Sequence, residues 1–102
     1  MQFNTAIHGT EYKVYLEGET HHSDCHEVVE LTKKFISSGC DTMVFDFRKL
    51  SLLDSLGVSI ILLARQTLNG KKGKLLLLRH PLGKVRHMFK VFNIDKLVQV
   101  EW

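Results

Sequence analysis

A short polar segment, Asp54-Ser55-Leu56-Gly57, lies between two strongly apolar stretches of this 102-residue chain. The apolar residues before it predict a strand over Thr42–Phe47, and those after it predict a helix from about Ser55 to Leu68. A hydroxyl at a helix N-terminus lies beside unpaired backbone N–H groups, where the helix dipole favours negative charge. Because a phosphate at this place need not disrupt the helix, we interpret Ser55 as a modifiable switch rather than as a nucleophile.

The same segment has a purely structural interpretation as a helix cap. Asp and Ser are both favoured at N-caps, where one such residue contributes about 1 kcal/mol. A cap needs only one of Asp54 and Ser55, and Gly57 in the first turn lowers helix propensity. The residues alone leave the capping and the functional interpretations open.

A hydrolase would use Ser55 differently, with a histidine base and an orienting acid. His80 and His87 fall in no recognisable arrangement with this serine, and the Gly-x-Ser-x-Gly elbow is absent. We therefore predict that the protein is not an enzyme and that it has no catalytic residues and no cofactor.

The segment His21-His22-Ser23-Asp24-Cys25-His26 contains several residue types that ligate metals. His22 and His26 share a helix face, and Asp24 or Cys25 could add a ligand. No second ligand pair of recognised spacing follows, and Cys25 also fits the apolar stripe of a helix, so we predict no metal site. His21 and His22 are instead expected to border the partner-binding region and to tune binding near neutral pH.

The remaining pattern predicts a single α/β domain over residues 1–102. Alternating residues predict an opening hairpin, with strands around Phe3–Ile7 and Tyr12–Leu16, and a first helix follows with Ser23 or Asp24 as its N-cap. The leucine-rich Lys74–Leu78 is typical of a parallel strand covered on both faces. A third helix follows, and its apolar face consists of Leu82, Val85, Met88, Phe89 and Phe92. A last strand over Leu97–Val100 completes the order ββαβαβαβ, which predicts a mixed, mainly parallel sheet.

Composition narrows the class of protein. The two cysteines are too few for a disulfide scaffold and suggest a reducing, cytoplasmic location. The longest apolar stretch is too short to span a bilayer, and the N-terminus lacks the pattern of a signal peptide. Net charge is +3, and no aromatic residues alternate with the basic ones, which argues against direct nucleic-acid binding. The basic residues are interpreted as a solvated face or as a contact for an acidic partner or an anionic surface: Lys71, Lys72, Lys74, Arg79, Lys84, Arg86 and Lys90.

The segment Phe45–Val58 resembles the signature of the STAS domain family, which includes the bacterial anti-sigma factor antagonists. The shared pattern is a strand, a loop that ends in two apolar residues, and Asp-Ser-small-Gly opening a helix. The hairpin, Gly18-Glu19 and the stretch from Val85 to Ile94 fall in the family's order, so the resemblance covers essentially the whole chain. It implies a STAS-like fold.

The resemblance also implies a function. In the family, the serine after the aspartate is phosphorylated by an ATP-binding anti-sigma factor with serine kinase activity, and only the unphosphorylated antagonist binds that partner. This places phosphorylation at Ser55 and partner binding at Asp54, Ser55, Leu56, Gly57, His21 and His22, on a protein expected to be a monomer when free. The alternative is a constitutive STAS subunit of a transporter or of a larger signalling assembly, in which Ser55 is never modified.

Three features depart from the family's pattern. Leu56 replaces a small or hydroxyl residue, and His21 or His22 stands where many members have an aspartate after the Gly-Glu turn. The sequence ends at Trp102, directly after the last predicted strand, where many members continue into another helix. The sequence leaves open whether Leu56 contacts a partner or packs under the loop 48–53.

Overall fold

The computed structural model describes all of residues 1–102, which form a five-stranded sheet and three α-helices. The predicted order ββαβαβαβ is confirmed, with a 3-10 turn (Ile94–Lys96) before the last strand as an addition that the sequence did not predict. The elements are β1 (Gln2–His8), β2 (Glu11–Glu17), α1 (Ser23–Ser37), β3 (Thr42–Asp46), α2 (Ser55–Leu68), β4 (Leu75–Arg79), α3 (Gly83–Val91) and β5 (Gln99–Glu101).

The sheet has the strand order β1-β2-β3-β4-β5, with β1 antiparallel to β2 and the other pairs parallel. Because each parallel connection is right-handed and moves to the next strand in the same direction, all three helices lie on one face. The core cluster agrees with this, since its strand residues come from one set of paired positions, such as Val14, Phe45 and Leu78. The domain therefore has two layers.

The expectation that the leucine-rich strand is covered on both faces is wrong. Leu75 and Leu77 of β4 point to the face without helices, and the Leu75 side chain is 58% exposed. The open face is protected by a polar bridge instead: the guanidinium of Arg79 donates to both carboxylate oxygens of Glu11, at 3.1 and 3.0 Å. The strand register places Val44 midway between these two residues, and Val44 is fully buried.

The predicted cap of α1 is also wrong. Neither Ser23 nor Asp24 caps the helix, because the N-cap position is His22, which makes no side-chain cap hydrogen bond. Asp24 lies inside the first turn and is buried, and its carboxylate accepts hydrogen bonds from the backbone N–H of His21 at 2.6 Å and from the Met1 amine at 3.2 Å. These bonds tie the β2–α1 loop to the start of β1.

The third helix begins later than the apolar pattern predicted. Val85 and Phe89 are buried as expected, but Leu82 precedes the helix with an extended backbone and is 54% exposed. Leu82 is thus not part of the core-facing stripe.

None of the helices combines the length and the apolarity needed to cross a membrane.

Candidate functional site

The segment around Ser55 lies at the carboxyl end of β3, where α2 begins. Asp54 occupies the N-cap position of α2 with an extended backbone, and its Oδ1 accepts a hydrogen bond from the Gly57 backbone N–H at 2.8 Å. The backbone carbonyl of Asp54 accepts from the Val58 N–H at 3.0 Å, which is the first hydrogen bond of the helix. Asp54 therefore provides the helix cap by itself.

Thr20 holds the Asp54 carboxylate from the other side. Its hydroxyl lies 2.9 Å from Oδ1 and 3.0 Å from Oδ2 of Asp54, to which it donates. The Gly57 N–H, together with Thr20, lowers the pKa of Asp54 below its ordinary value, against a weaker opposing effect of burial. Asp54 stays ionised at neutral pH, beside the residue interpreted as the switch.

Thr20 is a site residue that the sequence did not reveal. It follows the Gly18-Glu19 turn, one position before the histidines that seemed to replace the family's aspartate. A threonine in a loop carries no signal of its own, and its contact with Asp54 joins positions 34 residues apart. Its position directly after the Gly-Glu turn was the available hint.

Ser55 is exposed at the first position of α2. Its backbone carbonyl accepts a hydrogen bond from the Ser59 hydroxyl at 3.0 Å, and the cap hydrogen bond of the Gly57 N–H is accepted by Asp54 instead. The side chain of Ser55 is thus accessible and is not needed to terminate the helix.

Gly57 is explained by close packing. A Cβ atom at this position would lie 2.7 Å from Cδ1 of Leu53 and 3.5 Å from Cγ2 of Thr20. Leu53 is 1% exposed, so its side chain has little room to move aside. The glycine that weakens helix propensity therefore lets two loops approach the start of α2.

The loop before the site has a buried and an exposed side. Leu50 and Leu53 anchor it in the core, whereas Leu52 is 60% exposed beside the start of α2. Leu56 is half-buried and lies outside the core cluster. Leu52 is thus a second apolar residue near Ser55 that the sequence analysis did not single out.

The start of this loop is fixed by Asp46 and Arg48. The Arg48 guanidinium donates to both oxygens of the buried Asp46 carboxylate, with the shortest contact at 2.7 Å, and the Arg48 backbone N–H donates to it at 3.0 Å. Burial favours the neutral acid, but these hydrogen bonds and the charge of Arg48 together lower the pKa of Asp46. The pair fixes the turn that leaves β3.

The histidines lie in separate parts of the fold. His21 and His22 are exposed in the loop that carries Thr20, while His80 lies after β4 and His87 on the exposed side of α3. No three His, Cys, Asp or Glu side chains come close enough together to hold a metal ion. The site that the fold brings together consists of Thr20, Asp54, Ser55 and Gly57.

Residues 3–99 match the family model described as Mlab, STAS domain. The chain therefore belongs to the STAS domain family, and the resemblance inferred from Phe45–Val58 is confirmed. A search of curated proteins found no match.

Solved structures share the fold at low sequence identity. The NMR structure of TM1081 from Thermotoga maritima is 16% identical, with a TM-score of 0.83 over 99% of this chain and 81% of that chain. The anti-sigma factor antagonist SpoIIAA in its unphosphorylated form is 22% identical, with a TM-score of 0.75 over 99% and 89% of the two chains. The phosphorylated form of SpoIIAA, a Bacillus cell fate determinant, is 21% identical, with a TM-score of 0.68 over 99% and 92%. These comparisons show that the chain shares its overall fold with these structures.

Proposed function

We propose that this protein is a regulatory binding module without enzymatic activity, whose affinity for a partner is switched by phosphorylation of Ser55. The partner is an ATP-binding anti-sigma factor with serine kinase activity, and the module acts in the cytoplasm as a monomer when free. The observation that carries the proposal is the division of roles at the start of α2: Asp54 alone caps the helix, and Ser55 is exposed.

The covalent step would transfer the γ-phosphoryl group of ATP to the Ser55 hydroxyl oxygen. ADP leaves, and a base of the kinase takes the hydroxyl proton. The phosphate adds about −1.5 to −2 charges at pH 7 beside the ionised Asp54. Solvent and the free N–H groups of the helix terminus stabilise this charge in the free domain.

A partner packed over the site changes that balance. It would remove water from the phosphate and from Asp54 together, and like charges in a desolvated interface are strongly unfavourable. A cost of about 4 kcal/mol would weaken binding about a thousandfold. In this proposal, Leu56, His21 and His22 lie in the contact surface, together with the exposed Leu52.

The proposal has family support. The fold matches that of SpoIIAA, whose structure is known in both an unphosphorylated and a phosphorylated form. The same STAS fold would also serve the alternative, a constitutive subunit of a transporter or larger signalling assembly. The two functions differ in whether Ser55 is ever modified.

Three variants of Ser55 test the switch in a pull-down with the candidate kinase. Ser55→Ala should bind as wild type does and should not be labelled by the kinase and ATP. Ser55→Asp should bind at least about tenfold more weakly. Ser55→Asn is the matched control, since it has the size of aspartate without the charge, and it should retain most of the affinity.

Three results would count against the proposal. Equal binding by the Asp and Asn variants would exclude a charge-based switch. Labelling that persists in Ser55→Ala would place the modification elsewhere, for example on Ser59, the exposed serine one turn further along α2. Native protein without phosphoserine at any stage of growth would favour the constitutive subunit.

A further inference from the structure

A groove lies at the end of the sheet opposite Ser55, where α2 ends and β4 begins. It is an open cavity of about 550 Å³ between the α2–β4 loop and the segment that leads into β5. β5 pairs only with Leu77–Arg79, so Leu75 and Leu76 have no strand beside them on that side. This step in the sheet edge forms the groove.

The groove combines an apolar floor with a basic rim. Leu68 and Val98, each 7% exposed, lie at its floor, and Leu75 and Leu97 present larger exposed surfaces of 58% and 44%. Its charged residues are all cationic, and no aspartate or glutamate lines it: they are Arg65, Lys71, Lys72 and Lys74.

These cations have no acidic partner within the protein. The salt bridges of the chain involve Lys13, Lys33, Arg48, Arg79 and the Met1 amine, but none of the groove's basic residues. Lys74 is the most enclosed of the four, and its amine donates to the Cys40 carbonyl and lies 5.3 Å from the centre of the Phe35 ring. The Lys74 amine is thus already engaged, and the three positive charges of Arg65, Lys71 and Lys72 remain without an acidic partner beside an apolar cavity.

The basic residues that looked like a single cluster in the sequence are in fact separated. Arg79 already forms ion pairs with Glu11 and Glu101 on the open face of the sheet. Lys84, Arg86 and Lys90 lie on α3. Only the lysines of the α2–β4 loop join Arg65 at the groove.

We propose that this groove binds an acidic protein segment that carries apolar side chains between its carboxylates. The rim would pair with the carboxylates, and a leucine-like side chain would enter the cavity. A flat lipid surface would reach the rim but not the recessed Leu68 and Val98. No aromatic residue lines the groove, so it offers no stacking surface for nucleic acid.

The groove and the phosphorylation segment are at opposite ends of α2. The helix has 14 residues, which separates its ends by about 20 Å. A segment bound in the groove would therefore not contact Ser55, and the domain would hold one partner while it exchanges another. This second interaction does not depend on whether Ser55 is phosphorylated.

Fluorescence anisotropy of a labelled synthetic peptide, in which leucines alternate with pairs of glutamates, tests the proposal on the full chain. The peptide should bind, and added salt should weaken the binding because exposed charge pairs are screened. The double variant Lys71→Glu/Lys72→Glu should bind about tenfold more weakly or worse. The matched control is Lys33→Glu/Lys34→Glu, which makes the same charge change on the exposed side of α1 and should bind as wild type does.

Further probes separate the groove's apolar and charged parts. Leu97→Ser should weaken binding, whereas Leu82→Ser, a similar change at an exposed leucine beyond the other end of β4, should not. A peptide with serine in place of leucine should bind more weakly than the leucine peptide. Ser55→Asp should leave the affinity for the peptide unchanged.

Several outcomes would overturn the proposal. One is no binding at any concentration at which the peptide remains monomeric, and another is equal loss in both double variants. A third is tighter binding to anionic vesicles or to a single-stranded oligonucleotide than to the peptide, since the groove would then serve another class of partner. A dimer that the Lys71→Glu/Lys72→Glu variant dissociates would instead make the groove a contact between copies of this chain.

Discussion

Thr20 and Asp54 join the β2–α1 loop to the start of α2 through a hydroxyl that lies within 3.0 Å of both carboxylate oxygens. The contact gives the carboxylate a fixed orientation, with one oxygen also bonded to the Gly57 N–H. It thereby sets the position of the first turn of α2, including the adjacent Ser55. The two loops that border the candidate site are thus connected through one side chain.

Thr20→Val should remove this hydrogen bond while nearly preserving the shape of the side chain. Valine keeps the methyl group that contacts the region of Gly57 but removes the donor. We expect the free energy of unfolding to fall by about 0.5–1.5 kcal/mol and the pKa of Asp54 to rise toward its ordinary value. Chemical denaturation and an NMR titration of the Asp54 carboxyl group measure the two effects, and an unchanged Asp54 pKa would contradict the assigned contact.

Gly57→Ala should destabilise the protein, although the same change in an ordinary helix stabilises it by about 1 kcal/mol. The new Cβ would lie 2.7 Å from Cδ1 of the buried Leu53, and overpacking of this kind costs about 1–3 kcal/mol. Combining Gly57→Ala with Leu53→Ala provides the control, because removal of the Leu53 methyl groups should relieve the clash. Additive effects of the two substitutions on the free energy of unfolding would show that they do not compete for the same space.

Much of this fold was predictable because most of its helices and strands coincide with clear apolar patterns in the sequence. The strand near Thr42–Phe47 and the helix Ser55–Leu68 have the expected places, and α2 has the expected bounds. What the sequence did not reveal are contacts between distant parts of the chain. Thr20 meets Asp54 across 34 residues, and Asp24 lies inside the first turn of α1 rather than at its N-cap, with its carboxylate bound to the His21 N–H and the Met1 amine.

The exposed face of the sheet was missed for a different reason. A run of leucines has no period, so Leu75–Leu78 looks the same whether one or both faces are covered. Only the strand order, which places every helix on one side of the sheet, determines that the other face of β4 has no helix over it. The bridge from Arg79 to Glu11 that protects Val44 depends on that order and has no local signal.

Glu11→Gln should reduce the loss of stability in acid. A hydrogen bond from Arg79 lowers the pKa of Glu11 from its ordinary value of 4.5, against a smaller opposing effect of burial. Because the folded-state pKa is the lower one, the carboxylate stabilises the fold fully above the ordinary pKa, and this contribution is lost as the pH falls through the folded-state pKa.

Urea denaturation from about pH 7 down to pH 3 measures this effect. At neutral pH the variant should lose at most about 1 kcal/mol, since the ion pair is partly exposed. In acid, its free energy of unfolding should approach that of wild type. The variant's free energy of unfolding should still depend on pH through Asp46 and Asp54, whose pKa values are also lowered. A constant difference between the two proteins at every pH would exclude titration of Glu11 as the cause.

Leu56→Ser should weaken binding of the kinase partner while leaving the melting temperature nearly unchanged. Leu56 is half-buried, lies outside the core cluster and follows Ser55 at the start of α2. An apolar anchor at the centre of an interface contributes about 2 kcal/mol or more, so we expect a loss of affinity above about tenfold. Val91→Ser is the control, because it removes an exposed apolar side chain on α3 far along the chain from the site. A large drop in melting temperature would instead assign Leu56 to the core, where truncation of a leucine costs about 2–5 kcal/mol.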